Sequence, residues 1–310
     1  MFKLREQDEY IHPIGEDPTW REAVYFDCYD PRTGLGALGY MGVHPRLEIG
    51  DQIFAMWKGD VLVAKFTRWD FNIPSDIGEE RFSFGPLHYS PRVPFQECDW
   101  RYDDGYCRLD ITFQAIHQPY CWSESHPMFA QTNSHHYEQQ GTYRGTVRIG
   151  AKTYTVCGVG TRDHAWGWGA REGIKRWIWA SGQFHDGLAF NTFHVTLETD
   201  HDILFGYIFQ GHENVLLKQS VLDLKYDNTW KRPDGIGIHL IDQSGTHLVV
   251  EGRIINVFDI SYQERNKKGF HFFCFTEYTW GTLKGYGQSN YYFVNDLHRP
   301  LSWKIANQMI

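Results

Sequence analysis

Hydrophobic and polar residues alternate through much of this chain with the two-residue period of a β-strand. In residues 109–115, for example, Leu109, Ile111, Phe113 and Ala115 alternate with polar residues. A period of two puts every second side chain on the same face of a sheet, so this pattern predicts a strand with one buried face. No stretch of the sequence carries a helical stripe of apolar residues longer than two turns. The chain is therefore predicted to be all-β.

Short glycine-containing segments connect these strands. Three of them predict β-hairpins, with turns at residues 58–60, 150–151 and 185–187. Strand-like runs recur about every 8–12 residues, a spacing typical of sandwiches and barrels. The 310 residues are enough for two consecutive antiparallel barrels, and five glycines between residues 158 and 173 separate two of the hairpins. We expect a first barrel in residues 1–160 and a second barrel in residues 161–310. The first 50 residues and residues 71–95 are richer in Pro, Gly and charge, so we expect them to form an irregular N-terminal arm and loops around the first barrel.

Composition excludes several classes of protein. The net charge is −8, whereas binding to nucleic acid normally needs a clustered basic face. The six cysteines form no Cys-x-x-Cys pair, which argues against a zinc ribbon or a thioredoxin-like site. The first nine residues mix charges, and no uncharged apolar run reaches 18 residues, so we expect a cytoplasmic protein without stable membrane insertion. Aromatic residues make up 16% of the chain, which suits strands and apolar cavities.

The densest group of polar residues is Gly-Val-Gly-Thr-Arg-Asp-His-Ala-Trp-Gly-Trp-Gly at residues 158–169. In a strand, Arg162, His164 and Trp166 face one side and Asp163 faces the other. Asp163 and His164 are candidates for an acid–base pair, with Arg162 orienting it. The alternative is a structural polar cluster that ties the two barrels together.

A second polar segment, Ser-His-His-Tyr-Glu-Gln-Gln, occupies residues 134–140. His136 and Glu138 share one strand face. If that face meets His164, the three side chains would suit proton transfer or a metal site of two histidines and one carboxylate. His-x-Glu also arises by chance in a chain with 16 histidines, so ordinary core or surface histidines are the alternative.

Glu277 is a further candidate because it lies on a strand rich in phenylalanine. Apolar surroundings raise the pKa of a carboxyl group, which then acts as a general acid. A position facing water at a barrel rim is the alternative. The sequence contains no Gly-x-Ser-x-Gly, P-loop, dinucleotide-binding or His-Glu-x-x-His motif, which argues against the commonest hydrolase, nucleotide-binding, nicotinamide and zinc-protease activities.

Three motifs follow one another along the chain: His-Tyr-Glu-Gln at residues 136–139, a glycine-bounded hairpin at 145–150, and Gly-x-Gly-Thr-Arg-Asp-His-x-Trp-Gly at 158–167. Together with residues 17–22 and 285–287, they resemble the hydroxyneurosporene synthase (carotenoid 1,2-hydratase) and AttH-like superfamily. The resemblance implies two lipocalin-like barrels in tandem. It also implies non-redox chemistry on apolar, often isoprenoid, substrates, by hydration of a double bond or, in related fungal proteins, cyclisation of a polyene.

The Asp-His-x-Trp-Gly core is the most specific part of this resemblance, and it assigns a functional role to Asp163, His164 and Trp166. Residues 168–171, Trp-Gly-Ala-Arg, depart from the family pattern, in which an Arg or Val-Arg commonly follows the Trp-Gly. The wall of the substrate pocket is therefore expected to differ in shape from that of the family.

We therefore expect a lyase or hydratase, or a related cyclase or isomerase, that needs no cofactor and acts on a hydrophobic isoprenoid or polycyclic small molecule. Protonating an alkene carbon requires a strong acid, and aromatic faces in a dry pocket stabilise the resulting cation. The expected catalytic residues are Asp163, His164, Arg162, Glu138 and Glu277. The expected substrate-binding residues are Trp166, Trp168, Trp177, Trp179, His136 and Tyr286.

Two other functions stay open at this point. A non-catalytic carrier would hold a hydrophobic ligand in a lipocalin-like cavity, since a barrel of about eight strands has room for one small molecule. Such a carrier needs no acid in its cavity. A metal-dependent enzyme would use His136, Glu138 and His164. The sequence also leaves open the identity of the substrate and whether two copies form a homodimer.

Overall fold

The computed structural model describes residues 3–73, 82–125, 134–167, 173–228, 232–261, 269–294 and 302–306. Within these residues nearly all regular structure is antiparallel β-sheet, which confirms the predicted all-β class. The helices of these segments are short, namely two 3₁₀ helices, Glu6–Glu9 and Pro45–Leu47, and one α-helix, Trp122–Ser125. No helix in the described ranges is long and apolar enough to cross a membrane. The chain forms two compact units, Met1–Ala170 and Arg171–Ile310.

The first unit is built on a single curled sheet. Its strands are β1 (Arg21–Asp30), β2 (Leu35–His44), β3 (Ile49–Lys58), β4 (Val61–Asn72), β5 (Phe82–Phe84), β6 (Leu87–Val93), β7 (Glu97–Asp103), β8 (Cys107–Ala115), β9 (Tyr120–Cys121), β10 (Ser134–Ile149) and β11 (Lys152–Gly167). They are ordered β4-β3-β2-β1-β11-β10-β8-β7-β6-β5, with β9 paired to β10. The end strands β4 and β5 are not paired to each other in the part of the chain that the structure describes, so the first unit is a curled half-barrel rather than a closed one.

The second unit is a closed barrel. Its strands are β12 (Ile174–Phe184), β13 (Leu188–Leu197), β14 (Asp202–Gln210), β15 (Asn214–Tyr226), β16 (Pro233–Asp242), β17 (His247–Asp259), β18 (Phe270–Trp280), β19 (Leu283–Phe293) and β20 (Ser302–Ala306). Strands β12 to β19 form an eight-stranded barrel, because β14 pairs with β15 and β12 pairs with β19. Strand β20 adds to β15.

All three predicted hairpins are present, as β3–β4, β10–β11 and β12–β13. In each turn a glycine has a positive φ, which side chains with a Cβ rarely adopt: +63° at Gly59, +57° at Gly150 and +88° at Gly187. Strands β10 and β11 are 16 residues each, and β11 continues to Gly167. The expected boundary at residue 160 therefore lies inside β11.

The prediction of irregular structure for the first 50 residues and for residues 71–95 is wrong in part. Strands β1, β2, β5 and β6 lie there, and β1 and β2 are buried on both faces over most of their length. A strand buried on both faces has no alternation of polar and apolar residues, so the two-residue period that indicates a strand is absent from their sequence.

Each unit has its own hydrophobic core. In the first unit, Phe26, Phe54 and Trp100 are among the fully buried side chains. In the second unit, large residues such as Phe190, Tyr278 and Tyr291 fill the barrel core. The cores leave the central strands of the first unit, β1, β11 and β10, to carry buried polar residues on both faces of the sheet.

Candidate active site

One face of the β1–β11–β10 sheet carries a group of acidic residues. The register pairs Tyr25 with Asp163 across β1 and β11, and Asp163 with Glu138 across β11 and β10. His136 lies on the same face as Glu138. Its Nε2 is 3.3 Å from Oε1 of Glu138 and 3.7 Å from Oδ2 of Asp163. Three predicted site residues, His136, Glu138 and Asp163, therefore come together.

Asp27 adds a further carboxyl group to this face. It follows Tyr25 by two residues in β1, and its Oδ1 accepts a hydrogen bond of 3.2 Å from the backbone N–H of Thr161. The pKa of Asp27 is raised to about 8. Burial is the main cause and the negative charge of Asp163 adds to it, and these two effects outweigh the hydrogen bonds from Thr161 and Tyr25, which lower the pKa. A carboxyl group with such a pKa keeps its proton at neutral pH, as a general acid must. We call Asp27, His136, Glu138 and Asp163 the carboxylate cluster.

Members of the carboxylate cluster differ in their access to solvent. Asp27 and Glu138 are buried, whereas the side chains of Asp163 and His136 are 14% and 17% exposed. The imidazole of His136 stacks on the indole of Trp122, with ring centroids 3.8 Å apart and an interplanar angle of 3°. The stacking fixes the plane of the His136 ring, so this accessible side chain is held in a defined orientation.

The glycines of the 158–167 motif allow β1 and β11 to approach closely. A Cβ on Gly160 would overlap the backbone carbonyl of Asp27, and one on Gly158 would crowd the carbonyl of Tyr29. Only glycine lacks that atom. The Gly-x-Gly pattern therefore serves strand packing, and this packing brings Asp27 next to Thr161 on β11.

Arg162 points to the opposite face of β11. Its Nη1 and Nη2 donate to the two carboxylate oxygens of Glu9 at 2.5 and 2.9 Å, and its Nε donates to Oε1 of Gln139 at 3.0 Å. Burial alone would raise the pKa of Glu9, but the charge and hydrogen bonds of Arg162 lower it below its ordinary value. The prediction that Arg162 orients Asp163 and His164 is wrong, because this guanidinium forms a buried ion pair with the N-terminal 3₁₀ helix.

His164 also lies on this opposite face, so it does not form a side-by-side pair with Asp163. Its Nε2 is 2.7 Å from Oε1 of Glu22, and Nδ1 of His12 is 2.9 Å from the same oxygen. Burial alone would raise the pKa of Glu22, but hydrogen bonds from the two imidazoles lower it. Trp166 stacks on His12, with ring centroids 4.1 Å apart.

The predicted convergence of His136, Glu138 and His164 is therefore wrong. His136 and Glu138 occupy even positions of β10, and the residue opposite Glu138 is Asp163, whose neighbour His164 points the other way. Among the described residues, a different group, His12, Glu22 and His164, brings two imidazoles and one carboxylate close together.

Two predicted tryptophans lie in the second unit. Trp177 and Trp179 are buried on β12, and Trp177 packs against Tyr292 with centroids 5.9 Å apart and against His271 with centroids 5.1 Å apart. They form part of an aromatic face of that unit. Trp168 lies outside the described residues.

Glu277 and Tyr286 lie elsewhere in the second unit. The hydroxyl of Tyr286 donates to Oε2 of Glu277 at 3.2 Å, and Arg253 and Lys284 each approach Oε1 at 3.3 Å. The register pairs Tyr286 with Gln183, six residues along β12 from Trp177, or about 20 Å at the rise of a strand. Tyr286 therefore shares a sheet face with Trp177 but lies too far along the strands to contact the same part of a small ligand.

The pKa of Glu277 shifts in the direction opposite to the prediction. Burial alone would raise it, but the hydrogen bonds and charges of Arg253 and Lys284 together outweigh burial and lower it. A carboxyl group held ionised by two cations is a poor proton donor, because it lacks the proton at neutral pH.

Sequence reasoning missed Asp27, Glu22, Glu9 and His12. Asp27 has a detectable signal in the sequence. It follows Tyr25 and Phe26, and no other residue typical of turns occurs between them and Asp30, so the segment is not a turn and Asp27 is a carboxyl group within an apolar run. The same reasoning that singled out Glu277, a carboxyl group among aromatic residues, applies to Asp27. Glu9 and His12 carry no such signal, because the residues that they meet on β11, Arg162 and Trp166, lie about 150 residues away in sequence.

Comparison with solved structures places this chain among known folds. A protein assigned as AttH from Nitrosomonas europaea superposes with a TM-score of 0.68 at 13% identity, over 90% of this chain and 94% of that one. CghA gives 0.64 at 10% identity, over 91% and 90%. Kievitone hydratase from Nectria haematococca gives 0.60 at 10% identity, over 88% of each chain.

These similarities show a shared fold and confirm the resemblance to the AttH-like superfamily at that level. No curated protein matches the chain by sequence. One family profile, described as a domain of unknown function (DUF7064), matches residues 5–294. Because this match spans almost the whole sequence, the chain belongs to the DUF7064 family.

Proposed function

We propose that the protein is a hydratase, or a related cyclase or isomerase, that uses the carboxylate cluster of the first unit to protonate a hydrophobic small molecule without a cofactor. The observation that carries this proposal is the row of Tyr25, Asp163 and Glu138 across three neighbouring strands, with Asp27 and His136 beside it on the same face. Buried carboxyl groups and an imidazole at this spacing are the groups that proton transfer needs.

Each member of the cluster has a distinct role in this proposal. Asp163 is accessible and delivers a proton to one carbon of the double bond. Asp27, protonated up to about pH 8, is the buried proton source next to it. Water then adds to the cation and loses a proton to His136, whose Nε2 is held by Glu138 at 3.3 Å. His136 returns the proton to Asp163 across 3.7 Å, and Asp163 passes it back to Asp27, so the alkene gains one water and every group of the cluster regains its starting protonation.

The structural neighbours support the reaction class. One of them is named as a hydratase, kievitone hydratase, and it matches 88% of this chain. Because that likeness is one of fold, the reaction rests on the carboxylate cluster rather than on the comparison. The substrate class, isoprenoid or polycyclic, comes from the superfamily resemblance of the 158–167 motif.

The alternative of a carrier receives less support from the structure. A lipocalin-like carrier holds its ligand inside a closed barrel. Here the core of the closed barrel contains large buried side chains such as Phe190, Tyr278 and Tyr291. A carrier also has no use for a protonated carboxyl group such as that of Asp27, which costs stability.

The test begins with native mass spectrometry and solvent extraction of protein purified from its own host, followed by a screen of prenylated and polyene alkenes. Asp163→Asn is compared with wild type, and Asp110→Asn, which changes a half-exposed aspartate on β8, is the matched control. We expect Asp163→Asn to lose turnover by about a hundredfold or more and Asp110→Asn to keep it. An Asp163→Asn protein that is folded and fully active would refute the proposal.

A further inference from the structure

Three side chains from separate parts of the first unit converge on the face opposite Asp163. His12 comes from the N-terminal segment, Glu22 from β1 and His164 from β11. One ligand atom from each of the three lies within 4.8 Å of the other two. We propose that His12, Glu22 and His164 bind one divalent transition-metal ion, of which Zn²⁺ is the test case, and that this ion ties the N-terminal segment to the sheet.

The donor set suits this class of ion. Two imidazole nitrogens and one carboxylate oxygen are common ligands of zinc and of other first-row divalent metals. Nδ1 of His12 and Nε2 of His164 both point to Oε1 of Glu22, at 2.9 and 2.7 Å. Because one ligand atom from each residue already lies within 4.8 Å of the others, a small outward movement would let the three accept a cation between them, and water supplies the remaining ligand.

A second layer of contacts orients His12. Its Nε2 is 3.4 Å from Oδ1 of Asp8, which leaves Nδ1 facing Glu22. Asp8 is itself buried, and its Oδ2 accepts a hydrogen bond of 2.7 Å from the backbone N–H of Arg5. A carboxylate behind a ligating histidine is the usual arrangement at metal sites, because it fixes the tautomer and the direction of the ring. Stacking on Trp166 fixes the ring plane of His12 as well.

The site is closed except at His12. Glu22 and His164 are 1% exposed, whereas the side chain of His12 is 13% exposed, so an ion enters from that side. His164 faces away from Asp163 on the same strand. The ion is therefore structural, and it takes no part in the proposed proton transfer.

A metal-free arrangement accounts for the same contacts if Nδ1 of His12 and Nε2 of His164 both donate hydrogen bonds to Oε1 of Glu22. The two arrangements differ in what they bind. The metal site binds one Zn²⁺ per chain, and this binding requires His12 and Glu22. The hydrogen-bonded arrangement gives only weak Zn²⁺ binding at exposed histidines.

The experiment is a calorimetric titration of Zn²⁺ into untagged protein that has been treated with a chelator. His247 is exposed and its Nδ1 lies 3.4 Å from Nε2 of the partly buried His239, so this pair can bind Zn²⁺ weakly. The titration is therefore done in a His247→Asn background, with His12→Asn and Glu22→Gln added separately. Because His12 lies outside the strands, His12→Asn tests the site even if Glu22→Gln does not fold.

We expect one tightly bound Zn²⁺ per chain in the His247→Asn protein and a rise in the melting temperature when it binds. His12→Asn should weaken this binding at least tenfold and remove the thermal shift. Glu22→Gln should do the same. Absence of stoichiometric Zn²⁺, or equal binding in the His12→Asn protein, would overturn the proposal and leave only the hydrogen-bonded arrangement.

Discussion

Replacing Asp27 with asparagine is expected to stabilise the protein at neutral pH. Asparagine keeps the size of the side chain and the oxygen that accepts the hydrogen bond of 3.2 Å from Thr161. It removes the need to keep a proton on a buried group. The pKa of Asp27 in the folded state is about 8, against an ordinary value of 3.8.

The sign and size of the effect follow from this difference. Because the pKa of Asp27 is raised in the folded state, its contribution to the free energy of unfolding is fully present below pH 4. This contribution is lost as the pH rises towards 8, and the free energy of unfolding changes no further through Asp27 above that pH. Roughly four pKa units at about 1.4 kcal/mol each set an upper bound of about 6 kcal/mol. Asp27→Asn lacks this loss, so the free energies of unfolding of the two proteins should diverge by several kcal/mol between pH 4 and pH 8.

Urea unfolding of wild type and Asp27→Asn across this pH range measures the divergence, with Asp110→Asn as a control for the loss of an aspartate at a half-exposed position. Asp110→Asn should follow the wild-type pH dependence. The proposed function also requires Asp27→Asn to lower turnover, since the proton source is removed. A difference between wild type and Asp27→Asn that does not change between pH 4 and pH 8 would refute the assignment of a protonated Asp27.

Three further substitutions test other parts of the structure. Glu9→Gln should destabilise the protein by about 3–5 kcal/mol in urea unfolding, because it leaves the charge of Arg162 buried without a carboxylate; a change below about 1 kcal/mol would contradict the buried ion pair. Gly160→Ala should cost about 1–3 kcal/mol in thermal unfolding, since its Cβ overlaps the carbonyl of Asp27, and an unchanged melting temperature would argue against the close approach of β1 and β11. Glu277→Gln should change stability by less than about 1 kcal/mol and leave turnover at the wild-type level, whereas lost turnover would return Glu277 to the catalytic residues.

The fold could be predicted where local rules act. The hairpins at Gly59, Gly150 and Gly187 combine alternating strands with turn residues that suit a positive φ. Strands β1 and β2 were missed because burial on both faces removes the alternation that marks a strand. Whether a sheet closes depends on strand pairings between distant segments, which no local pattern encodes. The second unit closes in part through the pairing of β12 with β19, whereas β4 and β5 of the first unit are not paired with each other in the residues that the structure describes.

The candidate site was predictable only in part for a similar reason. Strand alternation correctly separates Asp163 from His164, but it does not say what each face meets. The cross-strand register brings Glu138 to Asp163. Arg162 forms an ion pair with Glu9, a residue to which the sequence assigns no role. Contacts of this kind are set by tertiary structure, so the motif pointed to the right strand but not to the right set of partners.

The central claim is that the carboxylate cluster adds water to a hydrophobic substrate by proton transfer. Its most direct test is turnover of the extracted or screened alkene in a mixture of D₂O and H₂¹⁸O, with products analysed by mass spectrometry. The account predicts a product with deuterium on carbon and ¹⁸O in a new hydroxyl group for wild type, and unchanged alkene for Asp163→Asn. For the cyclase or isomerase variants of the proposal, deuterium on carbon without ¹⁸O is expected. An alkene that binds wild type and is recovered unchanged, without label, would contradict the account and identify a carrier.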